Sequence, residues 1–213
     1  MTRPFVPGET VPLPEIPFRD AVRLPAGETA VIVVDMQNDF VKEGGALVVP
    51  AAQATVANIA GLLAEARAHK VRIAYTQDSH QEDDLEFAIW PAHARAGGCQ
   101  GGTWGWEIIA ELAPQGEDLL CRKSRYDAFY DSWLDHYLTR VWRVRHVVIV
   151  GTVANICVLH TAASAGLRYF HVVLPVDCVS ALNDFDLALT LRQVSWLYTG
   201  SVVHRAADIE FSA

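Results

Sequence analysis

Apolar positions along this chain fall into two alternating kinds of block. The first kind is the short apolar run: Thr29–Val34, Val71–Thr76, Asp118–Arg122, Arg145–Val150, His171–Pro175 and Ser201–His204. Runs of this length, bounded by polar and glycine-containing turns, read as buried strands. The second kind spaces its apolar residues three or four apart. Ala51–His69 places Val56, Ile59, Leu62, Leu63 and Ala66 on one face, which predicts an amphipathic helix. Asp131–Trp142, Ile156–Arg168 and Phe185–Tyr198 follow the same pattern, and Trp106–Leu112 predicts a shorter helix. Strands that alternate with helices become parallel when joined by right-handed crossovers, with helices on both faces. The expected fold is therefore α/β: a three-layer αβα sandwich around a mostly parallel, six-stranded sheet.

Two segments depart from the alternation. Residues 1–28 hold six of the ten prolines, which excludes helix and central strand there. This arm is expected to run extended against the domain or a neighbouring subunit, leaving residues 29–213 as a single domain. Residues 77–104 are polar and glycine-rich. They form a longer connection than compact domains ordinarily use, and long loops of this kind usually carry function.

Composition narrows the classes. Of 213 residues, 51% are hydrophobic and 20% charged, a balance that forms a core and excludes a disordered chain. The formal net charge of −8 comes without any Lys/Arg stripe, which argues against nucleic acid as a partner. No run is long enough to cross a bilayer, and no leader pattern is visible. A cytoplasmic protein is expected, its partners a small-molecule substrate and other copies of itself, with no nucleic acid and no membrane. The four cysteines, Cys99, Cys121, Cys157 and Cys178, show no close pairing and are expected as free thiols.

Open parallel sheets carry their sites beyond the carboxyl ends of the strands. Those ends present Asp35 and Gln37, then Gln77, Asp78 and His80, then Lys123, Cys157 and Asp177. Cys157 stands where an apolar strand gives way to a helix start. Unpaired N–H groups and the helix dipole meet there and favour a thiolate, although a free cysteine is commonly just a small buried hydrophobe. Asp35 and Lys123 can be an ion pair closing the sheet end. With Cys157 at a third strand end they can also be the base and charge partner of a nucleophilic thiol. Asp78-x-His80 sets two possible ligands on one side of an extended segment. His93 downstream adds a third, a set suited to zinc, iron(II) or manganese, or simply to surface hydrogen bonding.

Asp35-Met36-Gln37-Asn38-Asp39-Phe40, Asp78-x-His80, Trp90-Pro91-x-His93, Lys123 and Gly151-(x)5-Cys157 occur in the order found in the isochorismatase-like cysteine hydrolases. Over roughly residues 29–204 the chain resembles that superfamily, and within it the nicotinamidase-related amidohydrolases. The resemblance implies Asp35, Lys123 and Cys157 as a catalytic triad. It implies a cis peptide at Thr152–Val153 and an oxyanion hole from the N–H groups of Val153 and Cys157. It implies a divalent metal, zinc first and Fe2+ or Mn2+ next, on Asp78, His80 and His93. Gln37, Phe40, Trp90 and Tyr126 are expected to line the substrate pocket. The implied reaction converts a small amide such as nicotinamide to the acid and ammonia through a thioester. The alternatives are a carbamoyl or ureido amide, an isochorismate-type vinyl ether, or a non-catalytic binding protein on the same fold.

Three features depart from the nicotinamidase pattern. The acidic run Gln81–Glu86 stands where a further histidine is common, Asn155-Ile156-Cys157 replaces Asp-x-Cys, and Gly97–Trp104 is longer than the usual turn.

Overall fold

The computed structural model describes residues 8–10, 12–81 and 97–213. Trp90 and His93 lie outside the described residues. Seven strands form one parallel sheet: β1 (Phe18–Arg19), β3 (Thr29–Val34), β4 (Arg72–Asp78), β5 (Leu119–Lys123), β6 (His146–Gly151), β7 (His171–Pro175) and β8 (Ser201–Val203). Their order is β1-β8-β7-β6-β3-β4-β5. A separate parallel pair joins β2 (Val22–Pro25) to β9 (Ile209–Ser212). The six expected strands are all present. The seventh comes from the proline-containing arm, where Phe18 and Arg19 pair with Val202 and Val203 at the sheet edge. Proline-free residues at an edge can join a ladder even where their neighbours cannot.

The layers follow from the alternation of side chains along each strand. On β3, Val31 and Val33 face one core with Ile59, Leu63 and Ala66 of helix α2 (Ala52–Ala68). Ala30, Ile32 and Val34 face the other core with Leu134 of α3 (Leu134–His136), Ala162 and Ala165 of α4 (Leu159–Leu167) and Leu191 of α5 (Asp184–Arg192). A short helix α1 (Asn38–Val41) follows β3. The expected helix over Trp106–Leu112 is reduced to a 3-10 turn at Ala110–Leu112. Before that turn, the backbone of the segment bonds the α1 side: Asn38 N–H donates to Glu107 O (2.9 Å) and Ile109 N–H to Met36 O (3.0 Å).

The chain builds outward from β3 to β5, then returns to the other side of β3 with β6 and builds outward again. The switch point lies between the carboxyl ends of β3 and β6, where sheets of this kind open a crevice. Gly151 closes the β6 side. It pairs with Val34 in the ladder at φ +111°, and a Cβ there would overlap the Val34 carbonyl oxygen. Gly151→Ala combines a disfavoured backbone region with a clash against unyielding backbone. It is expected to cost about 3 kcal/mol or more of stability. A urea-denaturation midpoint matching wild type would contradict this placement.

Candidate active site

Asp35 is the first residue past β3 and has a left-handed backbone, φ +49°. A non-glycine residue there is held by its surroundings, and the holder is Thr76 on β4. Its hydroxyl accepts from the Asp35 N–H (3.1 Å) and donates to Asp35 Oδ1 (2.6 Å). The other carboxylate oxygen, Oδ2, faces Lys123 Nζ at 2.7 Å, and neither side chain has any exposure. Lys123, the last residue of β5, also reaches Asp78 Oδ1 (3.2 Å) and Cys157 Sγ (3.5 Å). An ammonium has three donors, and here each has a partner. Asp78 ends β4, and its Oδ2 accepts from His80 Nε2 (3.2 Å).

Cys157 enters from the far side of the crevice. A π-helical turn, Ala154–Val158, follows β6 and leads into α4. The peptide Thr152–Val153 is cis. The Val153 carbonyl accepts from the N–H groups of Ile156 (3.0 Å) and Val158 (3.2 Å), and Ala154 N–H donates to Ser180 O (2.8 Å). The turn is thus tied at both ends beside the thiol.

Two carboxylates share one ammonium in a site closed to water, and this sets the protonation. Burial raises the Asp35 pKa, the Lys123 charge pulls it down and the Asp78 charge raises it again, with the net direction upward. Burial, opposed by Lys123 and joined by the charges of Asp35 and Asp78, pushes the Cys157 thiol well above its ordinary range. Burial disfavours the Lys123 ammonium, yet the charges of Asp35, Cys157 and Asp78 outweigh it and hold it well above the usual lysine range. Asp78 goes the other way: burial raises its pKa, but Lys123 and the His80 bond bring it below the usual carboxylate value. The helix-start placement makes a thiolate nucleophile plausible. Burial first, and then the charges of Asp35 and Asp78, favour the protonated thiol against the pull of Lys123, since the charged form is disfavoured out of water and beside like charges.

Gln37 is fully buried, and its amide bonds backbone. Nε2 donates to Asp78 O (3.0 Å) and Trp106 O (2.9 Å), while Oε1 accepts from Asp78 N–H (2.8 Å). It continues the β3–β4 ladder past the strand ends. Gln77 Nε2 donates to the same Trp106 carbonyl (2.8 Å). Phe40 packs in the α2-side core, and Tyr126 is partly exposed beside His160. His160 is exposed as well, its Nδ1–H donating to Ile156 O (2.7 Å). Cys99, Cys121 and Cys178 are free and buried, with Cys121 pushed up to about 11 by burial.

Sequence reasoning did not single out Thr76 or the second carboxylate on Lys123. A signal for Thr76 was present: it lies two residues before Asp78 on one strand, so both project to the same face. As metal ligands, Asp78 and His80 are brought together and the expected third, His93, is outside the described residues. Among the described residues no group of three or more His, Cys, Asp or Glu converges on one point. A hollow of about 780 Å³ between α2 and residues 205–211 includes none of this cluster.

The parallel sheet, its switch-point crevice and the polar cluster at the strand ends define an isochorismatase-like α/β hydrolase. The chain belongs to the isochorismatase family, whose domain matches residues 29–207. A ureidoacrylate amidohydrolase of Agrobacterium fabrum is 35% identical over 89% of this chain and 96% of its own length. Among solved structures, N-carbamoylsarcosine amidase from Thermoplasma acidophilum superposes with a TM-score of 0.73 at 32% identity, covering 84% of this chain and 96% of its own. A nicotinamidase/pyrazinamidase from Bacillus subtilis gives 0.74 at 26% identity, covering 83% and 100%. The zinc complex of a Pyrococcus horikoshii pyrazinamidase gives 0.73 at 27%, covering 83% and 98%. No helix among the described residues is long and apolar enough to cross a membrane.

Proposed function

We propose that this hydrolase is a cysteine amidohydrolase in which Cys157 attacks the carbonyl carbon of a small amide. The observation that carries the reading is the buried Lys123 ammonium, 2.7 Å from Asp35 and 3.5 Å from the Cys157 sulfur. Asp35 takes the thiol proton as sulfur bonds to carbon. The oxyanion forms against the N–H groups of Val153 and Cys157, a donor pair of the kind worth roughly 3 kcal/mol per donor. Asp35 returns the proton to the departing nitrogen. It then deprotonates the water that cleaves the thioester. Lys123 stays charged throughout and balances the negative charge as it moves between Asp35 and sulfur.

The substrate we favour is a carbamoyl or ureido amide, supported by relatives with such names in both sequence and structure. Nicotinamide is the second reading, supported by Asp78 Oδ2 and His80 Nε2 lying 3.2 Å apart at one strand end. Those two side chains, with His93, would hold a divalent ion, and such an ion would anchor an electron-rich substrate atom as a Lewis acid. Ammonia release from 3-ureidopropionate and nicotinamide, each with and without added zinc, tests both. The favoured reading expects ureido turnover that zinc changes less than about twofold. Release from nicotinamide alone, dependent on zinc, would overturn it in favour of the second.

The raised Asp35 pKa adds an expectation on pH. Asp35 acts as a base only when ionised, so activity is present above its pKa and lost as pH falls through it. The acid limb of kcat/KM should therefore lie above the ordinary aspartate value of 3.8. A plateau extending down to about pH 4 would contradict the assignment.

A further inference from the structure

His146, His171 and Ser201 are the first residues of β6, β7 and β8, three neighbouring strands of the parallel sheet. They stand at the end of the sheet opposite the Cys157 cluster. His146 and His171 are paired in register, so both side chains project from one face. Their rings stand perpendicular with centroids 5.4 Å apart, and the two Nδ1 atoms lie 3.2 Å from each other. His171 reaches on to β8, its Nε2 lying 3.0 Å from Ser201 Oγ. Side chains thus link β6, β7 and β8 beside the backbone ladder.

A hydrogen bond between two ring nitrogens needs one that carries a proton and one that is bare. Whichever ring donates, the other Nδ1 must hold no proton. The donating ring can gain a proton on its outer nitrogen and keep the bond. A second added proton has only the bare Nδ1 to go to, and there it sets two N–H groups and two positive charges against each other. The surroundings do not offset this. At His146, burial lowers the pKa, Glu28 of the 3-10 turn Ala26–Glu28 raises it and Arg145 lowers it again, with the net direction downward. Glu28 is itself 3.6 Å from Arg145. At His171, burial, then the His146 charge and then Arg19 of the edge strand β1 all lower the pKa.

We propose that this pair is an acid-sensitive clasp: with at most one added proton it ties β6 to β7, and a second proton opens it. The strands beyond it on that side are β8 and the edge strand β1, so the clasp links pH to the outer half of the sheet. Both histidines are held below their ordinary value of 6.5, so the folded chain binds fewer protons here than the unfolded one. The contribution of the pair is complete above that value and is lost as pH falls below it through the folded values. None of the groups involved belongs to the Cys157 cluster, so failure of the clasp would leave the amidohydrolase reading untouched.

The test is a histidine ring titration of the full chain by long-range proton–nitrogen NMR, assigned with His146→Gln and His171→Gln. Near neutral pH one Nδ1 of the pair should carry a proton and the other none. The pair should titrate in two steps about one pH unit or more apart, the lower one below the ordinary histidine range. In His146→Gln, which removes the facing charge, the His171 midpoint should rise by about half a pH unit or more. A second readout is the urea midpoint at about pH 7.5 and about pH 5, where wild type should lose about 0.5 M more than His146→Gln between the two. Both rings titrating together in the ordinary range, or equal losses of urea midpoint in wild type and variant, would overturn the clasp. Where His146→Gln does not fold, the separation of the two steps in wild type, assigned with His171→Gln, decides by itself.

Discussion

Cys157→Ser is expected to lower amide hydrolysis by about 10⁴-fold or more, with the fold left intact. Serine occupies nearly the same volume in a site that is only 4% exposed, so the loss reads chemistry and not packing. Burial first, and then the facing carboxylates Asp35 and Asp78, already raise the thiol's pKa well above its ordinary range. The alcohol holds its proton far more strongly, and Asp35 cannot remove it at comparable cost. Cys157→Ala should fall to the same residual rate, since residues acting as a unit do not contribute additively. Ammonia release measures the rate, and a thermal midpoint within a few degrees of wild type checks the fold. Turnover in the alanine variant equal to wild type would assign the activity to something other than this thiol.

Lys123→Met should damage both activity and stability. Removing one partner of a buried ion cluster typically costs about 3–5 kcal/mol, because the remaining charges stay buried and unpaired. Here two carboxylates, Asp35 and Asp78, would be left on either side of an apolar side chain. The raised Lys123 pKa gives the sign of the pH effect. Its contribution is complete below the unfolded lysine value of 10.5 and is lost only as pH rises through the folded value above it. Wild type should therefore keep this stabilisation across the neutral range. The deficit of the variant should be largest near neutrality and shrink as acid protonates the two carboxylates. Urea denaturation at about pH 7 and about pH 5 reads both points, and a neutral-pH deficit below about 1 kcal/mol would contradict the buried cluster. Activity should fall with it, since nothing would then hold the charge that moves between Asp35 and sulfur.

Much of this arrangement is legible from the chain alone, for a physical reason. The strands are short apolar runs buried on both faces, so their ends can be read to within a residue or two. Asp35, Asp78, Lys123 and Cys157 are all named by the rule that sites gather at those ends. Less legible is what neighbouring strands do to one another. Thr76 looks like one more β-branched strand residue until β4 lies beside β3 and its hydroxyl meets Asp35. Gln37 reads as a pocket residue, but its amide extends a ladder. The edge strand at Phe18–Arg19 is hidden by the surrounding prolines. The thiol's surroundings are less legible for a similar reason: local helix placement favours a thiolate, while the burial and the two carboxylates that oppose it come from other strands.

The central claim is that Cys157 becomes covalently attached to the carbonyl carbon of the substrate. Its most direct test is the intact mass of the enzyme, acid-quenched during turnover of 3-ureidopropionate or nicotinamide, followed by peptide mapping. The account predicts an acyl or carbamoyl adduct on the peptide containing Cys157 and no adduct in Cys157→Ser protein. Steady turnover with Cys157 unmodified, or an adduct mapped to another residue, would contradict it.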